Sequence, residues 1–239
     1  AGDMPRGDSP YLALAQEVFD VPVIGVVEPG ARAAVRATVN RSVGVIGTVG
    51  TIESGAYSSA VRALDAGVTV FSAATPKFVD VVEAGLRMGP GTLEEWVSES
   101  ADVFIRPSFY EMARGYLEPL KRSGIDTLVL GCTHFPLLQA AIQQVMGGRV
   151  RLISSAEETA REVAETLEAR GHLAPGGTPA EHAYYTTGDA AEFARLGSRV
   201  LRQRIPGAHR VTLAKLRELP SAERLALLDT GRTEGIACG

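Results

Sequence analysis

A chain of 239 residues, 45% apolar and 22% charged, is long enough to bury a stable core without disulfide or metal staples. Its net charge of −4 argues against a nucleic-acid partner, and charges interrupt every apolar run before it reaches membrane-spanning length. Cys132 and Cys238 are too few for a disulfide framework and the polar opening AGDMPRGDSP lacks the apolar region of a secretory signal, so the expected location is a reducing cytoplasm.

Short aliphatic runs alternate with amphipathic stretches along the chain. VPVIGVV (Val21 to Val27) and SVGVIGT (Ser42 to Thr48) are expected as the first two strands, with little polar alternation, as in strands covered on both faces. TIESGAYSSAVRALDAG is expected as a helix, with Thr51 or Ser54 as N-cap and Gly67 at its close, leading into a strand at VTVFSAA (Val68 to Ala74). RMGPGTLEEWVSESADVFIRP (Arg87 to Pro107) breaks the rhythm as an inserted helical excursion bounded by Gly and Pro. A helix over SFYEMARGYLEPLKRSG follows, with Ser108 and Glu111 at capping-box spacing and Gly124 at the end, then a strand at DTLVLGC (Asp126 to Cys132). VRLISS (Val150 to Ser155) reads as the next strand, and SAEETAREVAETLEARG as a helix with Ser155 and Glu158 at its start and Gly171 at its close. HLAPGGTPAEH (His172 to His182) is a linker, and GDAAEFARLGSRVL a final helix capped by Asp189. This alternation of strand and helix implies βαβ units, hence an α/β fold with mainly parallel sheet.

Chemistry concentrates in TLVLGCTHFPLL, Thr127 to Leu138. The chain has only two cysteines and four histidines, and this run places Cys132 and His134 two positions apart where a strand gives way to a turn. In open α/β sheets ligands sit beyond the carboxyl ends of the strands. Gly131 lets backbone approach a ligand, Thr133 and the free N–H groups of a following helix suit a carboxylate, and His134 suits general acid–base work. Two other readings of the same residues stand beside this one: a small hydrophobic cysteine in the core, and a Cys–His hydrolase. No metal is expected, because no second Cys or His pair has ligand spacing.

TLVLGCTHFPLL resembles the second cysteine motif of the glutamate racemases, of the aspartate/glutamate racemase superfamily. FDVPVIGVVEPGARAAV, VGVIGTVGTIESGAY, PKFVDVVEAG, YLEPLKRSGIDTLVLGCTHFPLL, VRLISSAEETAREV and YYTTGDAAEFARLG resemble further segments in the family's order, covering about Leu14 to Leu213. The resemblance implies two α/β lobes with the site between them, one cysteine from each lobe, no cofactor, and D-glutamate supplied to peptidoglycan. It implies that Cys132 is one of two acid–base thiols, that Thr133 and Thr48 bind the glutamate substrate, that His134 assists Cys132, and that Glu83 lies near the site. It also implies a homodimer.

The family's Asp-Ser-Gly, Pro-Tyr-Gly and Cys-Asn-Thr-Ala-Ser motifs have no counterpart in place, and Met4 falls where the first catalytic cysteine belongs. The first lobe is therefore expected to be incomplete: residues 1–28 as its remnant, 29–173 as the complete second lobe, and 174–239 as a return to the first lobe plus an extension. Within that extension, Leu213 to Gly239, the stretches DTG and GIAC resemble first-lobe elements, so Asp229 and Cys238 are candidates to reach the site; the alternative is a frayed tail. Three functions follow: an active glutamate racemase, a glutamate-binding protein of racemase fold with one competent thiol, or a non-enzymatic binding protein.

Overall fold

The computed structural model describes residues 10–88, 107–177, 180, 182–201, 203–212 and 214. Two units divide the chain, Ala1–Gly85 with Ala101–Leu173, and Leu86–Ser100 with Ala174–Gly239.

The first unit is built on four parallel strands, β1 (Ser42–Gly47), β2 (Thr69–Ala74), β3 (Thr127–Leu130) and β4 (Arg151–Ser154), in the order β2-β1-β3-β4. Its helices are α1 (Pro10–Val18), α2 (Val27–Ala37), α3 (Val49–Glu53), α4 (Ala56–Leu64), α5 (Pro76–Met88), α6 (Pro107–Arg122), α7 (Gln139–Met146) and α8 (Ser155–Ala169), with a 3-10 turn at Phe135–Leu138. The sheet is covered on both faces, which is why β1 and β3 read as unbroken aliphatic runs. Alternate residues serve opposite faces. Val43, Val45 and Val129 join Ala31, Ala34, Tyr57 and Val61 in one core with α2 and α4. In a second buried cluster, Phe78 packs against Phe109, Tyr116 and Phe135 with ring centroids 5.6–5.7 Å apart. No helix among the described residues is long and apolar enough to cross a membrane.

Several expectations are corrected. Val21–Val27 is not a strand: residues 22–25 have no regular structure, Val26 is the N-cap of α2 and Val27 its first residue. Pro22 cannot donate to a ladder and Pro29 suits a helix's first turn, so the aliphatic composition is overridden. The single helix over residues 51–67 is two, because Gly55 at φ 64° separates α3 from α4, which ends at Leu64. Thr48, not Thr51 or Ser54, caps α3, and Ser154 rather than Ser155 caps α8 by accepting from the Glu157 N–H. Helix α6 begins at Pro107, one residue ahead of Ser108. Of the Arg87–Pro107 excursion, α5 takes in Arg87 and Met88 and α6 begins at Pro107; residues 89–106 lie outside the described residues.

In the second unit, β5 (Tyr185–Thr186) pairs in parallel with β6 (His209–Arg210) beside α9 (Ala190–Leu201). Asp189 Oδ1 accepts from the Glu192 N–H at 2.7 Å, the cap its sequence position implied. Buried Ile205 fills the space left by Gly197, where a Cβ would lie 2.7 Å from Ile205 Cδ1.

Candidate active site

All four strands of the first unit run the same way, so the turns that follow them share one rim of the sheet. Thr48 follows β1, Thr75 follows β2, the Gly131–His134 turn follows β3, and Ser155 follows β4. The last β1–β3 register pair is Ile46 with Leu130, and two residues further along each strand direction stand Thr48 and Cys132.

The turn after β3 is fixed from both sides. The Gly131 N–H donates to the Ile46 carbonyl at 2.8 Å, extending the ladder by one bond. A Cβ at Gly131 would meet that carbonyl oxygen and Tyr57 Cε2, each at 2.9 Å, so only glycine fits without displacement. The chain then turns through Cys132, whose carbonyl accepts from the Phe135 N–H at 3.1 Å. Phe135 and Leu138 anchor this turn in the core, leaving Cys132 and His134 half-buried and Thr133 exposed.

Three of the sequence-derived candidates come together here. Cys132 Sγ lies 3.7 Å from His134 Nδ1, and His134 Nε2 lies 3.1 Å from Glu83 Oε1 on α5. A carboxylate oxygen only accepts, so Nε2 carries a hydrogen and Nδ1 is the nitrogen that faces the thiol. Both side chains are partly exposed, 29% for His134 and 38% for Glu83, so solvent reaches their contact. Thr48 stands on the same rim; its Oγ1 accepts from the Thr51 N–H at 3.2 Å and shares a 2.9 Å hydrogen bond with Thr51 Oγ1. Asp229, Cys238 and the Met4 position lie outside the described residues. Among the described residues no cluster of three or more His, Cys, Asp or Glu could hold a metal ion.

Sequence reasoning missed Tyr57, Ser155 and Thr75. Tyr57, 4% exposed, donates from its hydroxyl to Ser155 Oγ at 2.8 Å across 98 residues of sequence. Burial pushes the Tyr57 phenol above its ordinary value; the Ser155 hydrogen bond opposes this and the electrostatic influence of Cys132 adds to it. Thr75 is fully buried, and its Oγ1 has no hydrogen-bond partner. A glycine at Gly131 was the available signal for Tyr57, since a missing Cβ marks something packed against the backbone.

A family model for Asp/Glu/Hydantoin racemase matches residues 7–163. A glutamate racemase of Bacillus cereus is 41% identical over 200 residues, covering 84% of this chain and 68% of the relative. One from Corynebacterium diphtheriae is 45% identical over 186 residues, covering 78% of this chain and 63% of the relative. Among solved structures, a glutamate racemase isoform from Bacillus anthracis superposes with a TM-score of 0.70 at 40% identity, covering 84% of this chain and 69% of that one. The chain thus spans between 63% and 69% of the length of these relatives.

Proposed function

The chain belongs to the Asp/Glu/Hydantoin racemase family, and from that premise we propose that it interconverts L- and D-glutamate by proton transfer at the α-carbon, with Cys132 as one of two acid–base groups. The observation that carries this reading is the relay of Glu83, His134 and Cys132 at the carboxyl rim of a parallel sheet.

Inverting an α-carbon requires a base on one face and an acid on the other. On the face of Cys132, the thiolate takes the α-proton of one enantiomer, the C–H electron pair stays on the α-carbon, and the thiol forms. In the reverse direction the thiol returns that proton. His134 Nδ1 accepts the thiol hydrogen when the sulfur must be a base, and the Glu83 carboxylate stabilises the imidazolium that results. The substrate α-carboxylate is held by the Thr133 hydroxyl and the N–H groups of the turn, with Thr48 beside them. Hydrogen bonds and position then stabilise the carbanion as charge develops. The group on the opposite face is none of Cys132, His134 and Glu83; the chain's other thiol, Cys238, lies outside the described residues.

In this reading the product serves peptidoglycan in the cytoplasm, and the working form is a pair of copies. Leu14 and Val18, four residues apart on α1, are 56% and 64% exposed, an apolar strip that a second copy would cover. Light scattering of the purified protein tests the pairing.

The activity is tested by incubating the protein with L-glutamate, and separately with D-glutamate, in deuterium oxide. Proton NMR follows the α-signal and circular dichroism follows optical rotation. Loss of both from either enantiomer is the expected result. Exchange from one enantiomer without loss of rotation leaves a one-thiol protein, and no exchange from either ends the racemase reading.

A further inference from the structure

The slot behind the cysteine turn is built around a single aromatic ring. Tyr57, on α4, lies between two glycines from other elements. A Cβ at Gly131 would stand 2.9 Å from Tyr57 Cε2, and a Cβ at Gly30, on α2, would stand 3.4 Å from Tyr57 Cε1 on the ring's other edge. The same Cβ at Gly30 would lie 2.5 Å from Ser155 Oγ, the atom that accepts the Tyr57 hydroxyl. Both partners are sealed from water, at 4% exposure for Tyr57 and 5% for Ser155. Gly131 thus lacks a side chain where the ring edge meets backbone, and Gly30 lacks one where the Ser155 hydroxyl that holds the ring's far end must stand. The ring edge that meets Gly131 is one residue from the reactive sulfur, while the residue two beyond that sulfur is His134.

From this geometry we infer that Tyr57 is a positioning residue for the reaction: pressed against Gly131 and tethered to Ser155, its ring sets the turn that aims the Cys132 thiol at His134. Tyr57 does not touch substrate and transfers no proton. A ring alone would fill the slot, but a ring without its tether can rock about the Cβ axis. Gly131 and Cys132 would move with it, because the ring is the wall that faces the Ile46 carbonyl across the turn. The hydroxyl of Tyr57 and that of Ser155 therefore act as one unit. The kinetic consequence rests on the racemase reading; the geometric one does not.

The test uses the full chain, with Tyr57→Phe and Ser155→Ala singly and together. Histidine ring 15N–1H spectra, with His134 assigned by a His134→Asn variant, report the Cys132–His134 contact without any substrate. Each single variant is expected to displace the His134 ring signals while those of His172 stay in place. Each is also expected to slow α-proton exchange of glutamate by roughly ten- to hundredfold, the loss that follows small misplacement of a reacting group, with KM little changed. The double variant should lose no more than the worse single one, as two halves of one tether do. Unmoved His134 signals in both single variants, with only a lowered unfolding temperature, would overturn the inference and leave Tyr57 a core residue. Should the unmodified chain exchange no α-proton at all, the racemase reading fails while the ring spectra still decide the role of Tyr57.

Discussion

Glu83 Oε1 and His134 Nε2 stand 3.1 Å apart, on the side of the imidazole remote from the Cys132 sulfur. Glu83 rides on α5 after β2 and His134 on the turn after β3, and those strands flank β1 on its two sides. The contact therefore closes over the end of β1, a junction made by parallel strands and not by local sequence. Glu83→Gln keeps the size and an accepting oxygen but removes the charge that favours an imidazolium. Exchange of the glutamate α-proton should fall by roughly tenfold or more, within the range that acid–base assistance contributes, with KM nearly constant. Steady-state rates from each enantiomer check this, and equal rates in the variant would remove Glu83 from the relay.

Cys132→Ser replaces a half-buried thiol by a smaller, poorly acidic hydroxyl. Racemisation should drop by roughly 10³-fold, while folding stability moves by no more than about 1 kcal/mol. Circular dichroism of a glutamate solution and urea unfolding of the same preparation read the two effects separately.

Asp126 joins the end of α2 to the sheet. Its carboxylate accepts from Thr38 Oγ1 at 2.6 Å, from the Val39 and Asn40 N–H groups at 2.7 Å each, and from Thr127 Oγ1 at 3.0 Å. Burial pushes the carboxyl up, but the hydrogen bonds from Thr38, Asn40, Val39 and Thr127 together outweigh it and hold the group below its ordinary value. A native value below the unfolded one, about 3.9, means that its contribution is present above pH 4 and is lost as pH falls through the native value. Asp126→Ala should cost about 1–3 kcal/mol at pH 7, and the gap from the parent should narrow below pH 4. Urea denaturation at pH 7, 5 and 3 measures it.

Thr75 shows the opposite case, a fully buried hydroxyl with no partner. Its N–H donates to the Gly47 carbonyl at 2.9 Å and its carbonyl accepts from Phe78, so the backbone is satisfied and only Oγ1 is stranded. Thr75→Val removes that polar atom at nearly constant volume and should raise stability by about 1 kcal/mol, read as a higher unfolding temperature. A lowered temperature would mean the hydroxyl is satisfied in solution.

The sheet was legible because β1 and β3 are aliphatic runs bounded by Gly, Ser or Asp, and Gly131-Cys132-Thr133-His134 stood out by rarity. Val21–Val27 misled because composition outweighed position: Val21 and Val26 are 63% and 53% exposed, with nothing to cover them as a strand. Caps slipped by a residue or more because neighbouring hydroxyls, such as Ser154 and Ser155, offer the same chemistry. Tyr57 and Ser155 were out of reach: their hydrogen bond joins residues 98 apart and has no local signature.

Placing β3 beside β1, and not beside β2, has a consequence for how freely this chain can change length. Between Ala74 and Thr127 the chain must pass β1 to reach its other side, and α5 carries Glu83 to the site on the way. The entropy of closing such a return grows only with the logarithm of its length, about 0.6 kcal/mol for each doubling. The return from β2 to β3 can therefore lengthen at little thermodynamic cost, whereas a single added residue between β1 and α3 would displace Thr48 from the rim. Tolerance to insertion in this fold is set by which side of a strand the chain returns to.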